Sequence, residues 1–508
     1  MMKKSVIAMG IFVTSGVVWV GATWFTGKQI EKRLAEMTAQ VNNELKHTVP
    51  EAGLEISYQN YQRGVFTSKM QLIIKPIAGV QNAWLKAGQS VGLDEVIDHG
   101  PFPMAQLKHV NLSPVMASVR STLVNNDFTR RVFDLAKDKT PVVIDTRISY
   151  AGDTRSDFTL KPLDYGKGDE KMTFSGGNFR LNTDRGGKAL SLIGDVQSGL
   201  VNTVNKYGQR VQLSFNNLKT DSNSRLTSFD ERIGDQKISI EKLDIAVEGK
   251  EVAVLEGMIL AVISDISRNG KSINSQLDCS LKNLKVQSQN LGSGKLTLKI
   301  SNIDGQAWHQ FNQNYRQQRQ AALAEQGLTE KSQELYQQKI MDAFSGNLPL
   351  LLKGEPVITI APLSWKNSKG EATFNLSISL KDPATTTAQA QTLAQEVDRS
   401  VKSLESTLSI PVDMATEMMT RISTLSGYNE ADAAKLASQQ VKSMAAMGQM
   451  FRVTTLEDNV IGSSLQYSSG LMTLNGQKMP LEEFVGMFGL PSSGLPEPAM
   501  PSEPAIPQ

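Results

Sequence analysis

Apolar residues are spaced differently in different parts of this chain, and each spacing predicts a different element. From Ser5 to Thr26 there is no spacing at all: SVIAMGIFVTSGVVWVGATWFT runs without a charge. As a helix it would be about 33 Å long at ~1.5 Å per residue, enough to cross a bilayer core of about 30 Å. Lys3 and Lys4 precede it, and Lys28, Lys32 and Arg33 follow, so the flanking charges are nearly balanced. Orientation rests instead on length: a short tail stays behind, and a long following region translocates largely regardless of charge. The reading is a cytoplasmic tail at 1–4 and a transmembrane anchor at 5–26. Everything after it is then periplasmic. Trp19, Trp24 and Phe25 fall near the outer end, where aromatic rings favour the interface. The rival is a cleaved signal peptide, with Val20-Gly21-Ala22 as its small-residue site. The run is longer than the ~7–15 residues of a signal core, which favours an anchor.

At 27–49 the spacing becomes helical. Ile30, Leu34, Met37, Val41 and Leu45 recur at steps of four and three, a narrow stripe of the kind that seals two helices together. It serves equally as the inner face of a helix packed on its own domain. A self-association stalk and a domain-packed helix are therefore both open. Pro50 ends it.

From 50 to 304 the spacing is two. In FTSKMQLIIKP, residues Phe66, Ser68, Met70, Leu72 and Ile74 share a face. In KMTFSGGNFRLNT the alternation straddles Gly176-Gly177, where a bulge or bend is expected. Arg185-Gly186-Gly187, Gly249-Lys250 and Asn269-Gly270 supply the positive φ that tight hairpins need. Strands are predicted at 252–266, 272–287 and 294–303, so this β-rich region reads as a long antiparallel meander with one buried face.

The region 305–488 mixes both spacings. Trp308, Phe311 and Tyr315 open one helix, and Tyr336, Ile340 and Phe344 mark another. Strands return at EPVITIAPLSWKN and EATFNLSISLKDP. Leu393, Val397, Val401, Leu404 and Leu408 read as one helical stripe, and Val412, Ala415, Met418, Ile422 and Leu425 as a second after Pro411. Asn429 with Asp432 caps a third, running towards Phe451. A hairpin with Asn475-Gly476 and a short helix, PLEEFVGMF, follow. The tail at 489–508 is proline-rich and reads as solvated and disordered. The predicted fold class is thus α+β: an N-terminal transmembrane helix, a large antiparallel β-rich ectodomain, and interspersed amphipathic helices.

Composition narrows the chemistry. Charged residues make up 20% and the formal net charge is +2, which leaves no basic field for nucleic acid. The single cysteine, Cys279, excludes an intrachain disulfide and a cysteine-based zinc site. Leu277, Cys279 and Leu281 alternate onto one strand face, so Cys279 reads as a small core residue. His47, His99, His109 and His309 form no metal-ligand spacing. LGSGKLT (291–297) lacks the order of a phosphate loop and leads into a strand. No catalytic, metal or cofactor site is predicted.

Two local concentrations stand out. In VIDHGPFP, residues Asp98, His99, Gly100 and Pro101 form a rigid turn. Adjacent residues of an extended chain point to opposite faces, so Asp98 cannot orient His99 as in a triad. The turn serves structure, with Asp98 or His99 satisfying local amides, or else binding or catalysis. YQRGVFTS (61–68) reads as a turn and strand start. Methionines cluster over 410–451, as core filler or as a surface facing lipid or a partner.

Those strings carry a resemblance. The Lys-Lys-led anchor, Tyr61-Gln-Arg63-Gly64-Val-Phe66, Asp98-His99-Gly100-Pro101 and Ala307-Trp308-His309 are similar to the YdgA family of envelope proteins from Gram-negative gamma-proteobacteria. So are ITIAPLSWKNS (358–368), IPVDMATE (410–417) and TLNGQKM (473–479). The resemblance implies an inner-membrane-associated protein of uncharacterised biochemical role, for which self-association is suggested. It brings no catalytic residues with it. The expectation is a single-pass inner-membrane, periplasm-facing protein that is not an enzyme. It is expected to bind or scaffold by self-association as a homodimer, with the bilayer as partner through 5–26. A lipid-binding or lipid-transfer module with an apolar β groove is the alternative, and other envelope proteins are further possible partners. A hydrolase using Asp98 and His99 is the third reading.

Overall fold

Long stretches of period two become long strands. The computed structural model describes residues 20, 22–36, 38–39, 41–43, 45, 53–77, 85–108, 110–137, 139–167, 170–205, 207–324, 330–385 and 392–487. The predicted cytoplasmic tail, most of the predicted anchor and the Pro-rich tail lie outside them. Among the described residues no helix is long and apolar enough to cross a membrane. Two units divide the chain: Met1–Leu226 with Gly234–Lys250, and Thr227–Ile233 with Glu251–Gln508.

The first unit opens with helix α1 (22–36, helical again at 38–39 and 41–43). Strands β1 (Leu54–Arg63), β2 (Thr67–Pro76) and β3 (Val91–His99) follow, then the single turn α2 (Met104–Leu107) and β4 (Ala117–Leu123). After α3 (Arg130–Leu135) come β5 (Val142–Ile148), β6 (Thr154–Leu160), β7 (Leu163–Lys167), β8 (Glu170–Phe174) and β9 (Gly177–Thr183). The long strands β10 (Ala189–Val204), β11 (Arg210–Leu226) and most of β12 (Arg232–Val247) complete it. Pairing is antiparallel throughout β1–β2–β3–β4–β5–β6–β9–β10–β11. Strand β8 continues β9 along the same edge of β10, and the break between them falls at Gly176-Gly177. Gly176 has φ +85°, and a Cβ there would lie 2.7 Å from the Leu160 carbonyl. Glycine is what lets the strand bend at that point.

The register gathers one apolar face. A single rung reads Met70, Glu95, Ser121, Ile144, Phe158, Phe179, Gly194 across seven strands. Helix α1 covers this face at its β2–β5 end. Ile30 packs against Ile97 and Ala117, with Met70, Val119 and Ile148 around them. Further along, Phe158, Phe179, Leu181, Leu192 and Leu200 are only half-buried.

The second unit has a meander of its own, with β13 (Lys250–Ile266), β14 (Ser272–Val286) and β15 (Gln289–Asp304). LGSGKLT lies wholly within β15. Helices α4 (Gly305–Ala324) and α5 (Glu330–Leu352) form a pair, joined by Phe311 edge-on to Phe344 at 5.9 Å. Then come β16 (Val357–Asn367), β17 (Gly370–Leu380), α6 (Leu393–Ser400), β18 (Val401–Pro411), α7 (Val412–Leu425) and α8 (Glu430–Met450). Four short strands, β19 (Thr455–Glu457), β20 (Val460–Ser468), β21 (Leu471–Leu474) and β22 (Gln477–Pro480), precede α9 (Leu481–Met487). The cap of α8 is as predicted: the Asn429 side chain accepts from the Asp432 amide at 3.0 Å. Its buried stripe, Ala433, Ala437, Val441 and Ala445, has the four-residue step of one helix face.

The helical stripe predicted from Leu393 to Leu408 is corrected here. Only Leu393–Ser400 is helical, and Val401 begins a strand. A step of four residues satisfies both a helix turn and two strand repeats, so Leu404 and Leu408 fitted either period. Tertiary pairing decides: Leu404 faces Ile378 on one side and Tyr467 on the other.

The register of the second unit also builds an apolar face. One rung runs Val262, Leu277, Leu298, Ile360, Leu376, Ser406, Leu465, Leu474 over eight strands. Its ends are covered. Trp308 of α4 joins Ile233, Ile273 and Ile303 at one end, and α6 with α9 encloses Tyr467 and Met472 at the other. Between those covers the row stays half-buried.

Tyr467 reports on the covered end. Burial, reinforced by its hydrogen bond to Asp398 (2.6 Å), pushes its phenol up to about 12. A raised phenol favours the folded state in full below its ordinary value of 10, and that contribution is lost as pH climbs through about 12. In an absorbance titration of the nine tyrosines, one late step near pH 12 is expected, and Tyr467→Phe removes it. Its persistence in the variant would mean that another tyrosine is the late one.

Candidate functional site: the seat of the N-terminal helix

The two concentrations singled out in the sequence, 61–68 and 98–101, meet at one place. Antiparallel pairing of β2 with β3 sets Ser68 opposite Ile97 and Thr67 opposite Asp98. This brings the turn after β1 alongside the end of β3. His99 is 1% exposed and Ser68 0%. The imidazole Nε2 lies 2.8 Å from Ser68 Oγ, and Nδ1 lies 3.2 Å from the Val65 carbonyl. A carbonyl only accepts, so Nδ1 carries the proton and donates to Val65. Nε2 therefore accepts from the Ser68 hydroxyl, whose oxygen in turn takes the proton of Tyr61 Oη at 3.1 Å. Burial lowers the histidine's pKa below its ordinary 6.5, which keeps the ring neutral as this relay requires.

Asp98 points the other way, as strand alternation demands. Its Oδ2 accepts from the Ala105 amide at 2.9 Å and so ties down the start of α2. Gly100 donates to the Met116 carbonyl, and the Pro101 carbonyl accepts from Val115. A Cβ on Gly100 would sit 1.9 Å from the Val115 oxygen, so this turn tolerates only glycine. The turn is thus the hinge between β3 and the chain leading to β4.

Helix α1 closes over the ring. Gly27 is buried, and a Cβ there would lie 2.4 Å from His99 Cε1 and 2.5 Å from Nδ1. One turn later Ile30 enters the core, followed by Leu34, each 7% exposed. Each such side chain contributes roughly 1.5–3 kcal/mol on full burial. The outer side of the helix is fixed by Arg63, whose Nε lies 2.9 Å from Glu31 and whose guanidinium stacks over Trp24. Asn42 completes the seat by pairing both polar atoms with the backbone of Ile56, at 2.8 and 2.7 Å.

Of the predicted stripe, Ile30 and Leu34 are therefore inside the unit. Val41 is exposed, Leu45 half-buried, and Met37 lies outside the described residues. Gly27, Tyr61, Glu31 and Ser68 were not singled out as site residues in the sequence. The available signal was a lone glycine in a helical run, which commonly marks a close approach.

Chemically, the Ser68–His99 pair resembles a nucleophile with its base. Both groups are sealed beneath α1, so no substrate reaches them in this arrangement. Elsewhere, His309 Nδ1 lies 2.9 Å from Glu231, within a knot that also takes Asn312. A trough of about 890 Å³ crosses the polar face of the first unit, lined by Asp157, Arg180, Ile193, Asp195 and Lys219 among others. Among the described residues no group of three or more His, Cys, Asp or Glu is placed to hold a metal ion.

Fold and seat together define a class: a β-rich α+β protein built as an antiparallel meander, with its N-terminal helix locked onto the apolar face. The family described as "Bacterial protein of unknown function (DUF945)" matches residues 2–482, and the chain belongs to it. Over 507 residues it is 60% identical to Protein YdgA of Escherichia coli (strain K12), covering 100% of both chains. Over 489 residues it is 30% identical to the Uncharacterized protein YihF of the same strain, covering 96% of this chain and 99% of that one. An uncharacterized protein of Haemophilus influenzae is 28% identical over 187 residues, or 36% of this chain and 49% of its own. The resemblance read from the sequence is borne out. No solved structure matches.

Replacing His99 by Ala strands the Ser68 hydroxyl and opens a cavity under Gly27. The expected cost is about 2–4 kcal/mol in denaturant unfolding of the full chain. Unchanged stability would contradict the seat. The parent should also lose stability as pH falls below 6.5, because the unfolded chain then binds the proton that buried His99 resists. His99→Gln removes that slope, and the difference between the two chains isolates it from the buried Glu95, whose pKa burial raises.

Proposed function

We propose that this protein is a single-pass, periplasm-facing envelope protein that binds apolar chains along the uncovered part of its sheet. One observation carries the reading. In the second unit the row Val262, Leu277, Leu298, Ile360, Leu376 is half-buried, although it lies on the apolar side of the strands. Leu260 and Leu363, one step along, are more than 40% exposed. An apolar sheet face is normally packed against a second layer, and a contiguous exposed apolar surface marks a site of contact. Acyl chains match this surface: it has no fixed polar group to satisfy and is several strands wide. The uncharged run at 5–26 supports attachment to the inner membrane, from which such chains come.

Self-association is the second reading. Its support is the end of α8, where Met444, Met447, Met450 and Phe451 are exposed. Burial of Ile30 and Leu34 takes the start of the predicted stripe out of a two-helix seam. The homodimer is thus better sought at α8 than at the predicted stripe.

A photoreactive phenylalanine analogue placed at Leu298 or Leu363 in the full chain, irradiated in living cells, separates the readings. A phospholipid-sized mass added to the chain is expected. Cross-linked dimer from these positions would favour self-association through the sheet. The absence of any adduct would contradict an apolar-chain site.

A further inference from the structure

The strand register places several apolar loop residues at one end of the first unit, and α1 begins at that same end. Pairing of Thr67 with Asp98, His99 with Ala117, and Ala117 with Ile148 aligns the turn at 64–66, the connection at 100–116 and the turn at 149–153. Each carries large apolar side chains into solvent. Val65 and Phe66 are exposed on the first, Val110 (82%) and Leu112 (67%) on the second, and Tyr150 (57%) on the third. Core packing does not account for them, and three separate loops contribute.

Helix α1 ties its start to the same end. Gly27 lies on His99, and Trp24 lies against Arg63. The helix then runs away along the sheet to Asn42 beside Ile56. Residues 22–26, the end of the uncharged run 5–26, therefore stand at the apolar loops. Trp24 and Phe25 are exposed here, while Thr23 and Thr26 face inward. Lys28 lies 5.2 Å and Arg63 5.6 Å from the Trp24 ring centre. An aromatic ring flanked by cations is the chemistry of the bilayer interface, where rings sit at headgroup depth and cations meet lipid phosphates.

We propose that this end of the first unit is a second membrane contact, in which the three loops rest in the headgroup layer around the emerging helix. The occupant is a phospholipid surface. Seated this way, the rigid α1–His99 contact fixes the strands' direction relative to the bilayer. The inference rests on reading 5–26 as a membrane anchor.

The test uses the full chain carrying Cys279→Ser and a single cysteine at Val65, Leu112 or Lys75, labelled with an environment-sensitive fluorophore. Lys75 lies eight residues up β2 from Thr67, roughly 26 Å away at ~3.3 Å per residue. The chain is reconstituted in phosphatidylethanolamine/phosphatidylglycerol nanodiscs, with and without lipid bearing a nitroxide near its headgroup. Probes at 65 and 112 should be quenched at least twofold, and the probe at 75 left unchanged. Equal quenching at all three positions, or none at 65 and 112, overturns the proposal, and none would assign these loops to a protein partner instead. Alkaline carbonate extraction of cell membranes separates the two failures. A chain that stays in the membrane with unquenched loops keeps its anchor and loses this contact; a chain released by carbonate loses both.

Discussion

Everything in the first unit depends on a helix lying directly on an imidazole. Gly27 has no Cβ, so α1 approaches His99 closely enough for Ile30 and Leu34 to reach the sheet core behind it. His99 in turn is held by the Val65 carbonyl, within the β1–β2 turn, and by the Ser68 hydroxyl, on β2. The contact joins helix, turn and strand end in one step. A larger residue at 27 or a charged ring at 99 would separate all three, because a buried imidazolium is costly and neither direct partner of the ring, the Val65 carbonyl or the Ser68 hydroxyl, is a carboxylate.

The remainder of the chain is organised by a different economy. Strand after strand adds by a hairpin, so most pairings are between neighbours in sequence and little chain is needed to close each loop. A meander of this kind makes one apolar face at every step, and helices are required to cover it. Here α1 covers one stretch of the first unit, while α4, α6 and α9 cover the two ends of the second. In the second unit α7 also packs against β15 to β18, and the middle of each apolar row stays half-buried, which is the basis of the binding reading.

Much of this was legible in the chain. Alternation located β13, β14 and β15 to within a few residues, and Asn269-Gly270 marked the β13–β14 turn and Asn475-Gly476 the β21–β22 turn by the positive φ they allow. Asn429 announced α8 through its side-chain cap, a strictly local event. The strand at Val401–Pro411 was hidden because its leucines stand four apart, a spacing shared by helix and strand. The seat was hidden for a different reason. Ser68 and His99 are 31 residues apart, and Gly27 lies a further 72 residues from His99 along the chain. No local pattern encodes that meeting, which arises only when β2 and β3 pair in the observed register. Sequence reasoning did flag Asp98–Pro101 and established that Asp98 could not serve His99, since that step needs only the alternation of a strand.

The central claim is that α1 is an integral part of the folded first unit, locked there by Gly27 on His99. Hydrogen–deuterium exchange on the full chain in lipid nanodiscs measures this directly. The account predicts that amides in 27–34 exchange as slowly as those of β3 at 91–99, because opening the helix opens the strand end with it. Rapid exchange through 22–36 beside a protected β3 would show a helix that merely rests near the sheet, and would contradict it.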